Sequence, residues 1–449
     1  MKLDYLGPID LLSALIWVLI ILLVAQVRYS KNKEIPHYKY YMWNVAFKLF
    51  FGLAFACVYV FLIKGGDTVA YWEGATKLNN LFFESPSLYL QEMLGNGGVD
   101  GNFNRFSAAT GYPPGWIYRE AEGWFVSKVA SLVSFVTFKS FWAGTFLFGF
   151  FLANASWRLY DFVIDLRLHK PWYAALAVLF VPSVSFWCAT VSKDAIVLIS
   201  IIYIIINLFK IISLEYKSTI WNWIGVLFFL YIILQTRSAV AMAVLAPVLF
   251  ALVARLRRKY KETPLKGALL SNGLLIIGVV LFFFFISTQG EVLQRYIDEA
   301  SVVQQDFAKN KTYGQNKYDI GITDYTPIGL LRAFPAAVVA GTFRPFMWEA
   351  LSPTLIVNGL ESMAFMLLTF LFFFQGSVKR KIGVIRRSEF LMFAFYFVLL
   401  MAFMAGFTGV LFGVLVRFKA AVLPFFVLLL TAKDNGQLTN VNSAKPMDN

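Results

Sequence analysis

Cysteine, histidine and charge are all scarce in this chain. Its 449 residues include 2 cysteines, 2 histidines and only 15% charged residues. Cys57 and Cys188 both sit inside apolar runs, which argues against a disulfide framework and against a thiolate metal site. His37 and His169 both fall in basic segments between apolar runs. A histidine zinc site or a Ser-His triad on the opposite, outer face is therefore not expected. Neither a Walker pattern nor a Gly-x-Gly-x-x-Gly opening a soluble domain is present, which turns attention away from soluble nucleotide donors. No internal repeat is evident, so the inverted-repeat plan of many secondary transporters has no trace here. The start, MKLDYLGPIDLL, has almost no basic region and no small-residue cleavage site after its apolar run. It reads as an uncleaved first span.

What is abundant is apolar sequence: 59% of residues are hydrophobic and 18% aromatic, with a mean hydropathy of +0.66. About 20 apolar residues cross a bilayer core as a helix, and long runs without alternation exclude a barrel. The expected fold is all-α, a polytopic transmembrane helical bundle with two large extracytoplasmic loops carrying short helices. About eleven spans are expected, near 9–27, 43–63, 138–157, 172–191, 195–213, 219–235, 238–254, 268–287, 354–374, 389–408 and 417–432.

The net charge of +14 is concentrated in short segments between these runs, including Arg28 to Lys39, Arg158 to Lys170, Arg255 to Lys261 and Lys379 to Arg387. Such segments are cytoplasmic by the positive-inside rule and contact anionic membrane lipids; nucleic acid is not an expected partner. The N-terminus then lies outside and the C-terminus in the cytoplasm. Residues 1–432 form one integral-membrane domain, and 433–449 read as a disordered cytoplasmic tail. The loops fall near 64–137 and 288–353; PIGLLRAFPAAVVAGTF in the second suits an interfacial or re-entrant helix. PSVSFW predicts a kink at Pro182, with Ser183 and Ser185 bonding freed backbone. Trp72, Trp116, Trp124 and Trp348 read first as interface-belt residues, with sugar stacking as the alternative.

The candidate site gathers at the outer helix ends. KGGDTVAYWEGA follows the second span and offers Asp67 and Glu73. CATVSKDAIV places Lys193 and Asp194 at the start of a descending helix, where Ser192 can cap it. LQTRSAVA puts Arg237 in a short outer hairpin, TFRPFMWEALSP supplies Arg344 and Glu349, and VLVRFKAAVLPF places Arg417 and Lys419 at a further outer helix start. Helix N-termini favour anions, so cations there need a bound anion or a neighbouring acid, and each could also snorkel or pair locally. Carboxylates with cations at one membrane face suit a polyprenyl-phosphate sugar donor and a glycan or lipid-linked acceptor. The cations would hold the phosphate, and a carboxylate would act as general base. A divalent cation, Mg²⁺ or Mn²⁺, is the one cofactor Asp67 and Glu73 would bind with the donor phosphate, although no dedicated cage is present.

GGDTVAYWEGA, PSVSFWCATVSKD, FRPFMWEA and VRFKAAVLPF resemble segments of bacterial multi-span proteins linked to surface-polysaccharide synthesis. The first is also similar to the acid-bearing external loop of the GT-C superfamily of lipid-linked glycosyltransferases. That resemblance implies that Asp67 is the catalytic base, with Glu73 the alternative acid, of an inner-membrane glycosyltransferase. The acid follows the second span rather than the first and reads GGD rather than a paired-acid motif. That departure keeps a polysaccharide polymerase or ligase, dependent on outer-face arginines, as the second expectation. A lipid-glycan flippase or transporter without chemistry is the third.

Overall fold

The computed structural model describes residues 5–95, 103–212, 218–278, 317–321, 326–350 and 352–433, with residues 280, 302 and 324 besides. The polar stretch before 317, Phe282 to Phe285, the glycine-rich centre of GNGGVDGNF and the tail beyond 433 lie outside the described residues. All named elements are helical. Among the described residues seven helices are long and apolar enough to cross a membrane, or up to nine passes if each of two bent pairs counts as one.

Helix α1 (Pro8–Asn32) starts on a proline, whose missing N–H costs nothing there. Helix α2 (Tyr41–Cys57) runs into a π turn (Val58–Ile63) and stops at Lys64, which adopts a left-handed φ of 58°. The expected loop after it is instead a small helical layer: α3 (Asp67–Glu84), α4 (Pro86–Leu94), α5 (Gly115–Arg119) and α6 (Ala121–Val136). Tyr71, Trp72, Ala75, Leu78 and Asn79 of α3 recur at helical spacing and are all buried. Gly74 lets α3 approach α6 closely, because a Cβ there would meet Ser127 Oγ at 2.7 Å. Trp72 and Trp124 are thus core residues and not belt residues. The Trp72 indole N–H donates to Lys139 O at 3.1 Å, and that of Trp124 to Glu92 Oε1 at 2.9 Å. Trp116 and Trp348, by contrast, are exposed.

The chain then bends by 108° into α7 (Phe141–Asp165). Helices α8 (Pro171–Val178) and α9 (Pro182–Cys188) share one pass broken at Pro182. Side chains bond the backbone around the break: Lys48 of α2 donates to Leu179 O at 2.8 Å, and Ser185 Oγ donates to Val181 O at 2.9 Å, which also accepts the Ser185 N–H. The Ser183 hydroxyl has no partner, while its backbone N–H donates to Glu361. Lys48 is fully buried within a pass, so its role is to complete the backbone where Pro182 cannot.

Helix α10 (Lys193–Ile212) is followed by α11 (Ile220–Lys259), α12 (Pro264–Gly278) and α13 (Pro327–Phe343). After these come α14 (Pro353–Phe374), α15 (Val378–Arg387), α16 (Glu389–Thr408), α17 (Phe412–Ala420) and α18 (Leu423–Thr431). Two of the eleven expected spans are not counted separately among these nine. The run expected at 268–287 is described only as the shorter α12. The pair expected at 219–235 and 238–254 is the single 40-residue α11, which leaves helical geometry at Arg237 (φ −164°, ψ 80°). Side-chain contacts show a reversal there. Asn222 bonds Asn207, Arg237 bonds Asp194, and Arg258 bonds Glu389, whose neighbour Phe390 packs on Phe209. Both halves of α11 therefore run along α10 between the same two ends.

The basic segments collect at one of these ends. Arg28 donates to Asn154, His37 pairs with Asp161 at 2.9 Å, and Lys433 N bonds Leu168 O. Asp67, Asp194, Arg237 and Arg417 meet at the other. The apolar segment expected as an interfacial or re-entrant helix is α13, which packs along α16 through small residues. A Cβ on Gly406 would lie 1.9 Å from Ala337 O, and one on Gly341 1.9 Å from Ala402 O. Gly406→Ala must therefore push the two helices apart, costing about 1–3 kcal/mol. Thermal unfolding of the purified variant checks this, and an unchanged midpoint would refute the close crossing.

His169, in the turn between α7 and α8, donates through Nε2 to Leu428 O at 2.8 Å, while its Nδ1 has no partner. Burial holds its imidazole down at about 4, only partly offset by the Leu428 carbonyl. The folded state thus prefers neutral His169 more than the unfolded state does. The contribution is full above the ordinary histidine value and is lost as pH falls from about 6.5 to about 4, an acid destabilisation of roughly 3 kcal/mol. His169→Gln, which keeps a donor for Leu428 and does not titrate, should flatten the stability–pH curve across that window.

Candidate functional site

Asp67 owes its position to the two glycines before it. Lys64, Gly65 and Gly66 all have positive φ, 58°, 155° and 95°, and turn the chain sharply off the π turn into α3. A side chain on Gly66 would also strike the Tyr59 ring, its Cβ falling 2.8 Å from a ring carbon. Asp194 sits in the first turn of α10, where exposed N–H groups favour a carboxylate. Ser192 caps that turn, its Oγ accepting from Ala195 N at 3.0 Å. Arg237 stands at the reversal of α11, and Arg417 on α17.

These four charges form one continuous ion-pair chain. Arg417 Nη1 reaches Asp67 Oδ2 at 2.9 Å, and its Nε reaches Asp194 Oδ2 at 3.0 Å. Arg237 Nη1 takes the other Asp194 oxygen at 3.0 Å. Asp194 is buried, its side chain 4% exposed, with both oxygens engaged; Asp67 is 38% exposed and held by one oxygen. Aromatic faces complete the grip: Arg237 lies 4.0 Å from the Phe418 ring centroid and Arg417 6.0 Å from Trp187. Lys193, the other cation expected here, pairs instead with Glu120 and, at 3.4 Å, with Glu122.

A cavity of about 150 Å³ opens against this chain, lined by Asp67, Tyr71, Trp116, Glu120, Lys193, Arg237, Arg417 and Phe418 among others. Burial first, then the Asp67 and Glu120 carboxylates, push the Tyr71 phenol well up, so it stays a neutral O–H. The walls are thus aromatic faces, a neutral hydroxyl and charges already in pairs.

Not every expected site residue is here. Glu73 lies six positions after Asp67, on a different face of α3, and does not line the cavity; its charge acts on Tyr5. Arg344 and Glu349 pair with each other at 3.5 Å, and Arg344 stacks over Tyr318 with 5.0 Å to the centroid. They lie across α17, because residues two apart on a helix face opposite ways. Arg417 faces the cavity, whereas Lys419, fully buried, donates to Arg344 O at 3.0 Å and Ser362 Oγ at 2.8 Å. Glu120, Glu122, Tyr71 and Phe418 had not been singled out. Glu120 is the residue that opens α6, so an acid at a helix start was the available signal.

Asp67, Asp194, Glu120 and Glu122 each hold an arginine or lysine, and among the described residues no group of three or more His, Cys, Asp or Glu could hold a metal.

No family model, curated protein or solved structure matched the chain. The resemblance to lipid-linked glycosyltransferases rests on short sequence segments alone.

Proposed function

We propose that this protein is a bacterial inner-membrane glycosyltransferase acting in cell-surface polysaccharide synthesis. It moves a sugar from a polyprenyl-phosphate-linked donor to a glycan or lipid-linked acceptor at the extracytoplasmic face. The observation that carries this reading is the joining of Asp67 to Arg417 and, through Asp194, to Arg237 beside an aromatic-walled cavity. That end lies opposite the basic segments, which the positive-inside rule assigns to the cytoplasm. A lipid-borne donor would reach it from the bilayer.

In this reading Asp67 takes the proton of the acceptor hydroxyl as its oxygen attacks the anomeric carbon. The bond from that carbon to the phosphate oxygen breaks, and its electron pair leaves on the phosphate. Arg417 and Arg237 stabilise that leaving charge. Trp116 and Phe418 offer faces for the sugar ring, and one displacement inverts the anomeric centre. Convergence of two arginines on one buried Asp194 favours a polymerase or ligase as the second reading, since that chemistry depends on outer-face arginines. Mass spectrometry of lipid-linked glycans in cells lacking the gene separates the readings. Loss of one sugar is the expected result and loss of chain length the polymerase result. Cytoplasmic-side accumulation of complete units would overturn both in favour of a flippase.

A further inference from the structure

The cations of the site are not free to receive a phosphate: every one of them is paired with a carboxylate. A ligand phosphate must therefore displace an acid, and the pairs are unequal. Asp194 is buried and held from both oxygens by two arginines. Asp67 is held by one oxygen from one arginine and is partly exposed; its Oδ1 makes no hydrogen bond among the described residues. An aspartate side chain changes partner by rotation about χ1 and χ2, so the exchange needs no movement of the α3 backbone. A phosphodiester carries the same single charge as a carboxylate but presents its oxygens tetrahedrally, so it can take a guanidinium N–H that Asp67 gives up.

Resting on the transferase reading, we propose that the donor phosphate exchanges with Asp67 on Arg417, so that donor binding itself releases the base. Before the exchange Arg417 holds Asp67 through Oδ2 and fixes the direction of its carboxylate. Afterwards the phosphate occupies Arg417 Nη1, Arg417 stays anchored to Asp194 through Nε, and Asp67 turns toward the acceptor hydroxyl. Proton abstraction is thereby confined to the donor-loaded site, which guards against futile reaction of an unloaded one. Asp67 consequently plays two parts with opposite signs: it competes with the donor for Arg417, and it activates the acceptor.

The test uses the full chain in nanodiscs of neutral lipid, with two probes: a polyprenyl monophosphate in the disc and inorganic phosphate in the buffer. Asp67→Asn should lose transfer yet bind the phosphate probe more tightly, by about two- to fivefold, the range an exposed ion pair is worth. Asp67→Ala should show the same sign. Arg417→Gln should weaken binding about tenfold or more. Tightening with both probes assigns the exchange to the phosphate itself; tightening with the lipid probe alone assigns it to a phosphate presented on a polyprenyl chain. If both Asp67 variants bind the probes equally or more weakly than the native protein, the exchange is wrong even when both are inactive. No binding by any form removes the phosphate reading together with the exchange.

Discussion

Asp194→Ala is expected to lower stability more than any other single change at the site. The carboxylate is buried, and each of its oxygens accepts from a different arginine, Arg237 and Arg417. Without it two guanidinium groups remain packed against Phe418 and Trp187, with one partly exposed carboxylate, Asp67, on Arg417 and, among the described residues, none on Arg237. Removing one partner of a buried pair typically costs about 3–5 kcal/mol, because the other charge stays desolvated. The helix start of α10 also loses its first-turn acid, worth about 0.3–1 kcal/mol. Thermal unfolding of the detergent-purified protein measures the loss. Asp194→Ala combined with Arg417→Gln should be less damaging than the two single losses added, because the second change removes a stranded charge. A fall of less than about 1 kcal/mol for Asp194→Ala would show that the cluster is solvated and not a buried anchor.

Asp67→Asn should have the opposite profile. Its carboxylate is partly exposed and makes one ion pair, so the stability change should stay within about 1 kcal/mol. Removing a general base typically lowers rate by about 10²–10⁴-fold, and the amide keeps the shape while losing the basicity. The measurement is sugar transfer from a synthetic polyprenyl-phosphate donor by purified protein, with membrane abundance checked alongside. Glu73→Gln serves as the contrast: Glu73 lies off the cavity and should retain activity within about threefold. Full activity in Asp67→Asn would remove Asp67 as the base.

Much of the architecture was legible in advance because bilayer physics is local. A run such as that of α1 must be helical wherever it packs, since lipid offers its backbone no other partner. Asp194 and Arg417 were visible for a similar reason, as charged residues at the end of an apolar run stand out against composition. The helical layer of α3 to α6 was less legible. Gly, Pro and aromatic residues in its connections resemble a loop, and the burial of Trp72 and Trp124 depends on α3 meeting α6. Glu120 was obscured likewise, because nothing near it in sequence signals Lys193 from 73 residues away.

The sequence by itself determined that the chain is a multi-pass helical protein, that its basic segments share one end and that acids and cations share the other. Only the tertiary structure decided which acid neutralises which cation. Arg417 joins Asp67 and Asp194 from 350 and 223 residues away, while Arg344, expected beside it, faces the far side of α17. The reason is physical. Hydropathy and charge are properties of each segment alone, whereas an ion pair a few ångströms long depends on the rotation of several packed helices at once.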